Sequence, residues 1–366
     1  MNLSPLTDKI LQYYTNAGLT AQVVILLIVT FTVSSIILGI VILINRIKRS
    51  YVERKLNRFR EQFLDFLADW AYNTEEEKSV PSSIIQSLRN KSKRELFTNE
   101  ILSLHANLYG DSSRKLENLF RKTGLVKHSL KKANSGKWDI KARGITEIVK
   151  MNISEGKGII KNNLDSGNPF IASIAQNAWI EINDEQTDTF LNIPGVTLSD
   201  WWQISAINSY KKKEIIPDFG KWIDHENVNV SRFAIRMCGI FKQYNNLDKI
   251  ISEIDSQDSS VRVEAINAAG LFAMPDALEK LEMRYHLEEN PVKRRIIKAM
   301  TYICDCQSLA FYNEVMATEK DPIIRIMTAK AIIKLGAEGE ELLDYITLKA
   351  DDTMLSIIRH AKDKMI

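Results

Sequence analysis

The sequence predicts an all-α chain: one apolar N-terminal helix, a helical adapter, and a solenoid of stacked helical hairpins. Three observations carry this. A window free of charge runs from Ile10 to Asn45. Beyond it, apolar residues recur at helical spacing over most of the chain. A helix-start pattern then returns at residues 168, 199, 227, 258, 290, 321 and 351, with separations of 31, 28, 31, 32, 31 and 30 residues. A near-constant period of this length is the signature of a repeat array.

The apolar window comes first. Ala21 to Ile44 is a run of 24 residues. As a helix it rises roughly 36 Å, enough to cross about 30 Å of hydrocarbon with modest tilt. Thr30, Thr32, Ser34 and Ser35 are tolerated there because short hydroxyls bond to the preceding turn. Only Lys9 precedes the run, beside Asp8, whereas Arg46, Lys48, Arg49, Arg54, Lys55, Arg58 and Arg60 follow it. A cleaved signal peptide has its positive region first. Positive charge is retained on the cytoplasmic side. The expectation is an uncleaved transmembrane anchor over 21–44, a short extracytoplasmic N-terminus over 1–20, and the rest of the chain in the cytosol.

Residues 45–72 read as a basic amphipathic neck. Leu56, Phe59, Phe63, Phe66, Leu67 and Trp70 share one helical face. The cations before Glu61 read first as topology and solubility determinants, with attraction to anionic membrane lipid as the second reading; the aromatic face is placed to pack on the first soluble helices or a membrane partner. Residues 73–80, with Glu75, Glu76 and Glu77, followed by Pro81, break the pattern. A helical adapter or N-terminal cap is expected over 73–133, with one helical tract from Ser82 to Tyr109, a stop at Gly110 and a new start at Asp111. Lys127, His128, Lys131 and Lys132 read as a solvated basic face.

The solenoid is expected over 134–366, beginning with a pair near Trp138–Val149 and Gly156–Leu164. Asn168, Ser199, Asn227, Asp258, Asn290, Asp321 and Asp351 are placed to cap the helices that follow them. Pro169, Pro291 and Pro322 suit a first helical turn, where no backbone donor is needed. Seven residues after each start stand Ala175, Ala206, Ala234, Ala265, Ile297, Thr328 and Ile358; three further on stand Ala178, Ser209, Met237, Ala268, Met300, Ala331 and Ala361. That spacing puts both sets on one face. Second helices are expected near Leu247–Ile254, Asp276–Leu287, Leu309–Thr318 and Glu340–Leu348. One such hairpin cannot bury its apolar face alone, so the units must stack.

Asp258-Ser-Ser-Val261-Arg262 and Asp321-Pro322-Ile-Ile324-Arg325 resemble the first-helix pattern of the HEAT-repeat family, and Asn290-Pro291-Val-Lys293-Arg294 is a charged variant. The period is shorter than most HEAT repeats show, and the copies at 199 and 227 are degenerate; armadillo-like repeats are the alternative, with a longer period and a third helix. The resemblance implies that Arg262, Arg294 and Arg325 are structural, with Asp258 and Asp321 pairing across repeats in an interface ladder. Trp179 and Trp222 read as core aromatics. Trp201 and Trp202 are singled out because neighbours on a helix cannot face the same way: one is expected in the core and the other on a protein-binding surface.

Catalytic and cofactor chemistry find no support. The 49 Lys and Arg nearly balance the 46 Asp and Glu, giving a net charge of +3. That argues against a dedicated nucleic-acid binder. Acidic Glu264, Glu279, Glu282, Glu288 and Glu289 also share two repeats with Arg294 and Arg295. The five histidines form no metal motif, and Cys304-Asp305-Cys306 has the wrong spacing for a zinc knuckle. No nucleophile elbow, HExxH or phosphate loop is present. The chain is therefore expected to be non-enzymatic, with no cofactor, metal or nucleic acid. Its anchor, neck and array resemble membrane-anchored bacterial HEAT-repeat proteins. That resemblance implies an inner-membrane scaffold binding protein partners within an envelope or polysaccharide-biogenesis assembly, glycosyltransferases among them. A membrane-linked sensory or regulatory adapter is the alternative.

Overall fold

The computed structural model describes residues 18–73, 79–185 and 187–363. Most of the expected 1–20 segment, Glu75 to Glu77 and Gln186 lie outside them. The described residues are helical, with no strand among them. They divide into two compact units, 1–126 and 127–366. The division falls just inside the expected adapter rather than at its end.

In the first unit, α1 runs unbroken from Leu19 to Asn73, so the expected span and neck are one helix. Gln22–Ile47 is long and apolar enough to cross a bilayer: 26 residues, mean hydropathy 2.8, none of it buried. The hydroxyls of Thr30 and Thr32 each donate to a carbonyl four residues back, both at 2.7 Å. The far end of α1 is instead a packed core helix. Phe59, Phe63, Leu67, Trp70 and Ala71 are buried against α3 (Lys91–His105) and α4 (Asp111–Lys122). Phe63 meets Phe97 edge-on at 5.0 Å. Trp70 Nε1 donates to the Lys115 carbonyl at 3.0 Å. The tract expected from Ser82 to Tyr109 is broken: α2 (Ser82–Ser87) ends, and Asn90 caps α3 through the amides of Ser92 and Lys93. An Asn that satisfies two orphan donors stabilises a new start over a continued helix.

The second unit opens in α5 (Leu125–Ala133), followed by α6 (Trp138–Lys150) and α7 (Lys157–Lys161). Lys132 reaches Glu147 on α6 at 2.7 Å and is mostly buried, so the basic run is not wholly solvated. The first helices of the repeats are α8 (Pro169–Ile182), α9 (Asp200–Tyr210), α10 (Val228–Ile240), α12 (Ser259–Phe272), α14 (Asn290–Ile303), α16 (Pro322–Lys334) and α18 (Asp352–Lys362). Their second helices are α11 (Leu247–Ser252), α13 (Leu278–Tyr285), α15 (Leu309–Thr318) and α17 (Ala337–Leu348). The capping side chains of Asn168, Ser199, Asn227, Asp258, Asp321 and Asp351 all accept from first-turn amides. Asn290 is the exception: it is already helical, and its side-chain amide donates to Asp321 of the next repeat at 3.0 Å. The residues seven and ten after each start are buried throughout the array.

Two expectations about the second helices are corrected. Between α8 and α9, and between α9 and α10, single 3-10 turns, Thr189–Asn192 and Phe219–Trp222, take their place. Large aromatics do the space filling there. Trp202 lies between Phe190 at 5.5 Å and Phe233 at 5.1 Å, and Phe219 between Tyr210 at 5.3 Å and Phe233 at 5.9 Å. Further on, α11 and α13 are shorter than their sequence ranges because 3-10 turns flank them, at Glu253–Asp255 after α11 and at Pro275–Ala277 before α13. Gly270 shows how closely the first helices approach: a Cβ there would stand 2.8 Å from the Ala299 Cα on α14.

Candidate protein-docking surface

Trp201 and Trp202 face different environments from the first turn of α9. Trp202 is fully buried, and Trp201 is 68% exposed. Consecutive helical side chains stand about 100° apart, so the two rings cannot share one direction; the neighbour on the other side, Gln203, is buried with Trp202. Trp201 stands two residues after its capping Ser199. Phe170 stands two after its capping Asn168 and is also 68% exposed. Trp138, at the start of α6, is exposed too, its ring centroid 6.0 Å from that of Phe170. Ile204, one turn along α9, is exposed with them. Large apolar side chains thus recur at the first turns of α6, α8 and α9. Sequence reasoning found Trp201 and missed Trp138 and Phe170, although Phe170 shares the register of Trp201.

The Arg positions lie at repeat junctions, and their partners are not uniform. Asp258 caps its own helix through Ser260 and Val261. Its hydrogen bond from Ser260 holds the carboxyl below the usual aspartate range. Arg262 pairs with Glu288 instead, at 2.7 Å, and Arg284 reaches the same oxygen at 2.7 Å. Burial opposes the charge on Glu288, but the two guanidinium groups more than offset it, and its carboxyl stays below the ordinary glutamate range. Arg294 meets Asp321 at 2.6 Å, as expected of a ladder. That hydrogen bond keeps the Asp321 carboxyl low. Beside it, Lys293 meets Glu319 at 3.1 Å, and the Tyr285 hydroxyl donates to Glu319 at 2.7 Å. Arg325, the third of the series, leaves its buried Nε without a hydrogen-bond acceptor. Sequence reasoning overlooked Glu288 and Glu319. Their signal is positional, each standing two residues before the next helix start.

Trp179 and Trp222 are tied into the frame, donating to Thr189 at 3.1 Å and to Asn192 at 2.9 Å. The three thiols are free: Cys238 is buried, Cys304 exposed and Cys306 half-buried. Burial pushes the Cys238 thiol up to about 12. Among the described residues no group of three or more His, Cys, Asp and Glu side chains is placed to hold a metal ion.

Antiparallel helical hairpins with a recurring cap and a shared buried face define an α-helical-repeat protein, a class that works through extended contact surfaces. Residues 216–301 match the family described as HEAT repeats. No curated protein matches the chain by sequence. Among solved structures, YibA of Escherichia coli is similar with 14% identity and a TM-score of 0.40, over 72% of this chain and 100% of that one. The complex of CpcE and CpcF of phycocyanin lyase from Nostoc sp. is similar with 10% identity and a TM-score of 0.28, over 80% and 97%. An engineered protein is similar with 12% identity and a TM-score of 0.23, over 76% and 93%.

Proposed function

We propose that the chain is a non-enzymatic, single-pass membrane scaffold whose HEAT repeats hold protein partners on the cytosolic side of a bacterial inner membrane. The observation that carries the docking role is the outward Trp201, in register with Phe170. A rigid aromatic side chain exposed on a packed helix supplies contact area at little entropic loss, which is why such residues dominate binding hot spots. The apolar segment Gln22–Ile47 supports the tether. The basic residues that follow it, including exposed Arg54, Arg58 and Arg60, support the orientation and a contact with anionic lipid. The resemblance to membrane-anchored bacterial HEAT-repeat proteins directs the partner search to envelope and polysaccharide biogenesis, with glycosyltransferases as the first class to examine.

Site-specific photocrosslinking in intact membranes tests the docking role. A photoreactive residue at position 201 should capture a defined protein. The same probe at exposed Gln257 should not. Equal capture at both positions, or capture at neither, would refute the assignment. Protease treatment of sealed vesicles tests the orientation, since cleavage of the repeat array only from the extracytoplasmic face would reverse it.

A further inference from the structure

The last repeat junction departs from the rule set by the two before it. Arg262, Arg294 and Arg325 each stand four residues after a helix start. At the first junction Arg262 is neutralised by Glu288, two residues before the next start. At the second, the equivalent Glu319 takes Lys293, and Asp321 takes Arg294. At the third, the equivalent residue is Lys349. A cation stands where the preceding junctions place a carboxylate.

The consequence is visible around Arg325. Among the described residues no carboxylate makes an ion pair with its guanidinium, whereas Arg294, whose buried Nε likewise has no acceptor, is paired with Asp321. Asp351 caps α18, accepting from the Met354 amide at 2.8 Å, and unlike Asp321 it makes no ion pair with the arginine of the preceding repeat. Lys349 lies against Tyr345, its Nζ 4.2 Å from the ring centroid. Between these groups is a crevice of about 370 Å3, lined by Arg325, Lys349 and Tyr345 on its polar side and by Met316, Ile346 and Met354 on its apolar side. With Asp351 counted, the lining carries one more positive charge than negative. An incompletely paired guanidinium inside a cavity is costly, and a carboxylate is its best-matched partner in geometry. The volume lies within the range of small-ligand sites, about 300–1,000 Å3.

We propose that this crevice binds a carboxylate carried on an apolar body, presented in trans by an acidic peptide segment of a partner, in the place that Glu288 and Glu319 fill from within the chain. The carboxylate pairs with Arg325 and Lys349, and the adjoining aliphatic group covers Met316 and Met354. Carboxylate is favoured over phosphate because the two preceding junctions are closed by carboxylates on the same kind of cation. The site is separate from the aromatic first turns, and either can fail without the other.

The test uses the full chain in detergent micelles and saturation-transfer NMR on small probes at matched ionic strength. N-acetyl-leucine offers a chain-terminal carboxylate, and N-acetyl-glutamyl-leucinamide offers a side-chain one. N-acetyl-leucinamide and the glutaminyl analogue are the neutral controls, and inorganic phosphate is the competitor. One or both acids should bind, and the one that binds more tightly identifies which carboxylate the site takes. Arg325→Gln should weaken binding about tenfold or more. Lys349→Glu supplies the missing acid within the chain, so it should abolish binding and raise the melting temperature. Neither acid binding, equal binding of acids and neutral controls, or unchanged binding in Lys349→Glu overturns the proposal. Phosphate displacing the acids at lower concentration than they themselves require overturns the choice of carboxylate. If Arg325→Gln does not fold, the Lys349→Glu result decides alone.

Discussion

Replacing Glu319 by Gln isolates the energetic worth of one junction. The Glu319 carboxylate accepts from the Tyr285 hydroxyl at 2.7 Å, Lys293 at 3.1 Å, and the amides of Lys320 and Asp321 at 2.7 and 3.1 Å. Burial opposes its charge, but these donors win and lower its carboxyl from 4.5 to about 2. Its side chain is only 9% exposed, so solvent screens the interaction little. A shift of that size corresponds to a ceiling of about 3 kcal/mol of linked stability. Glutamine keeps one carbonyl for the backbone amides but turns an N–H2 toward Tyr285 and Lys293, so the expected loss is about 2 kcal/mol, or roughly 30-fold in local opening. The folded value lies below the unfolded one. The stability is therefore present above the unfolded value of 4.5 and is lost as pH falls toward 2. Hydrogen–deuterium exchange of the first turn of α16, corrected for intrinsic rates, reads this directly. Protection should fall roughly 30-fold in Glu319→Gln at neutral pH, and the gap between variant and wild type should close as pH drops through that window. A gap that stays constant down to low pH would refute the electrostatic account, as would no gap at neutral pH.

Other substitutions probe the packing and the exposed face. Trp202→Ala empties a fully buried site and should lower stability by about 3–5 kcal/mol, whereas Trp201→Ala should change it by less than about 0.5 kcal/mol while reducing partner capture; thermal melting and crosslinking yield check the two. Gly270→Ala gains about 1 kcal/mol of helix propensity, but the new methyl meets the Ala299 backbone; overpacking of this kind costs about 1–3 kcal/mol, so the expected melting temperature is lower, and a rise would show that α12 and α14 separate easily. Maleimide should label Cys304 in the native chain and spare Cys238 until denaturant is added, because Cys238 is buried and its thiol is held protonated at neutral pH; mass spectrometry of the labelled peptides decides this.

The amino-acid sequence by itself determined the class and the register. Caps such as Asn168, Asp258 and Asp321 act within a few residues of themselves, and the buried positions seven and ten residues on follow from the helix period. Both are local rules, so a linear reading finds them. The different facing of Trp201 and Trp202 is local in the same way. Only the tertiary structure decided what meets what across repeats. The replacement of two second helices by 3-10 turns depends on Phe190, Trp202, Phe219 and Phe233 filling the space together, which no single segment encodes. The choice of Glu288 by Arg262, the escape of Asn290 from its expected cap to Asp321, and the missing acid at Arg325 are matters of distance between residues 24 to 31 positions apart. Short-range propensity specifies the hairpins. The partners of charged groups are chosen by geometry that exists only once the hairpins have stacked.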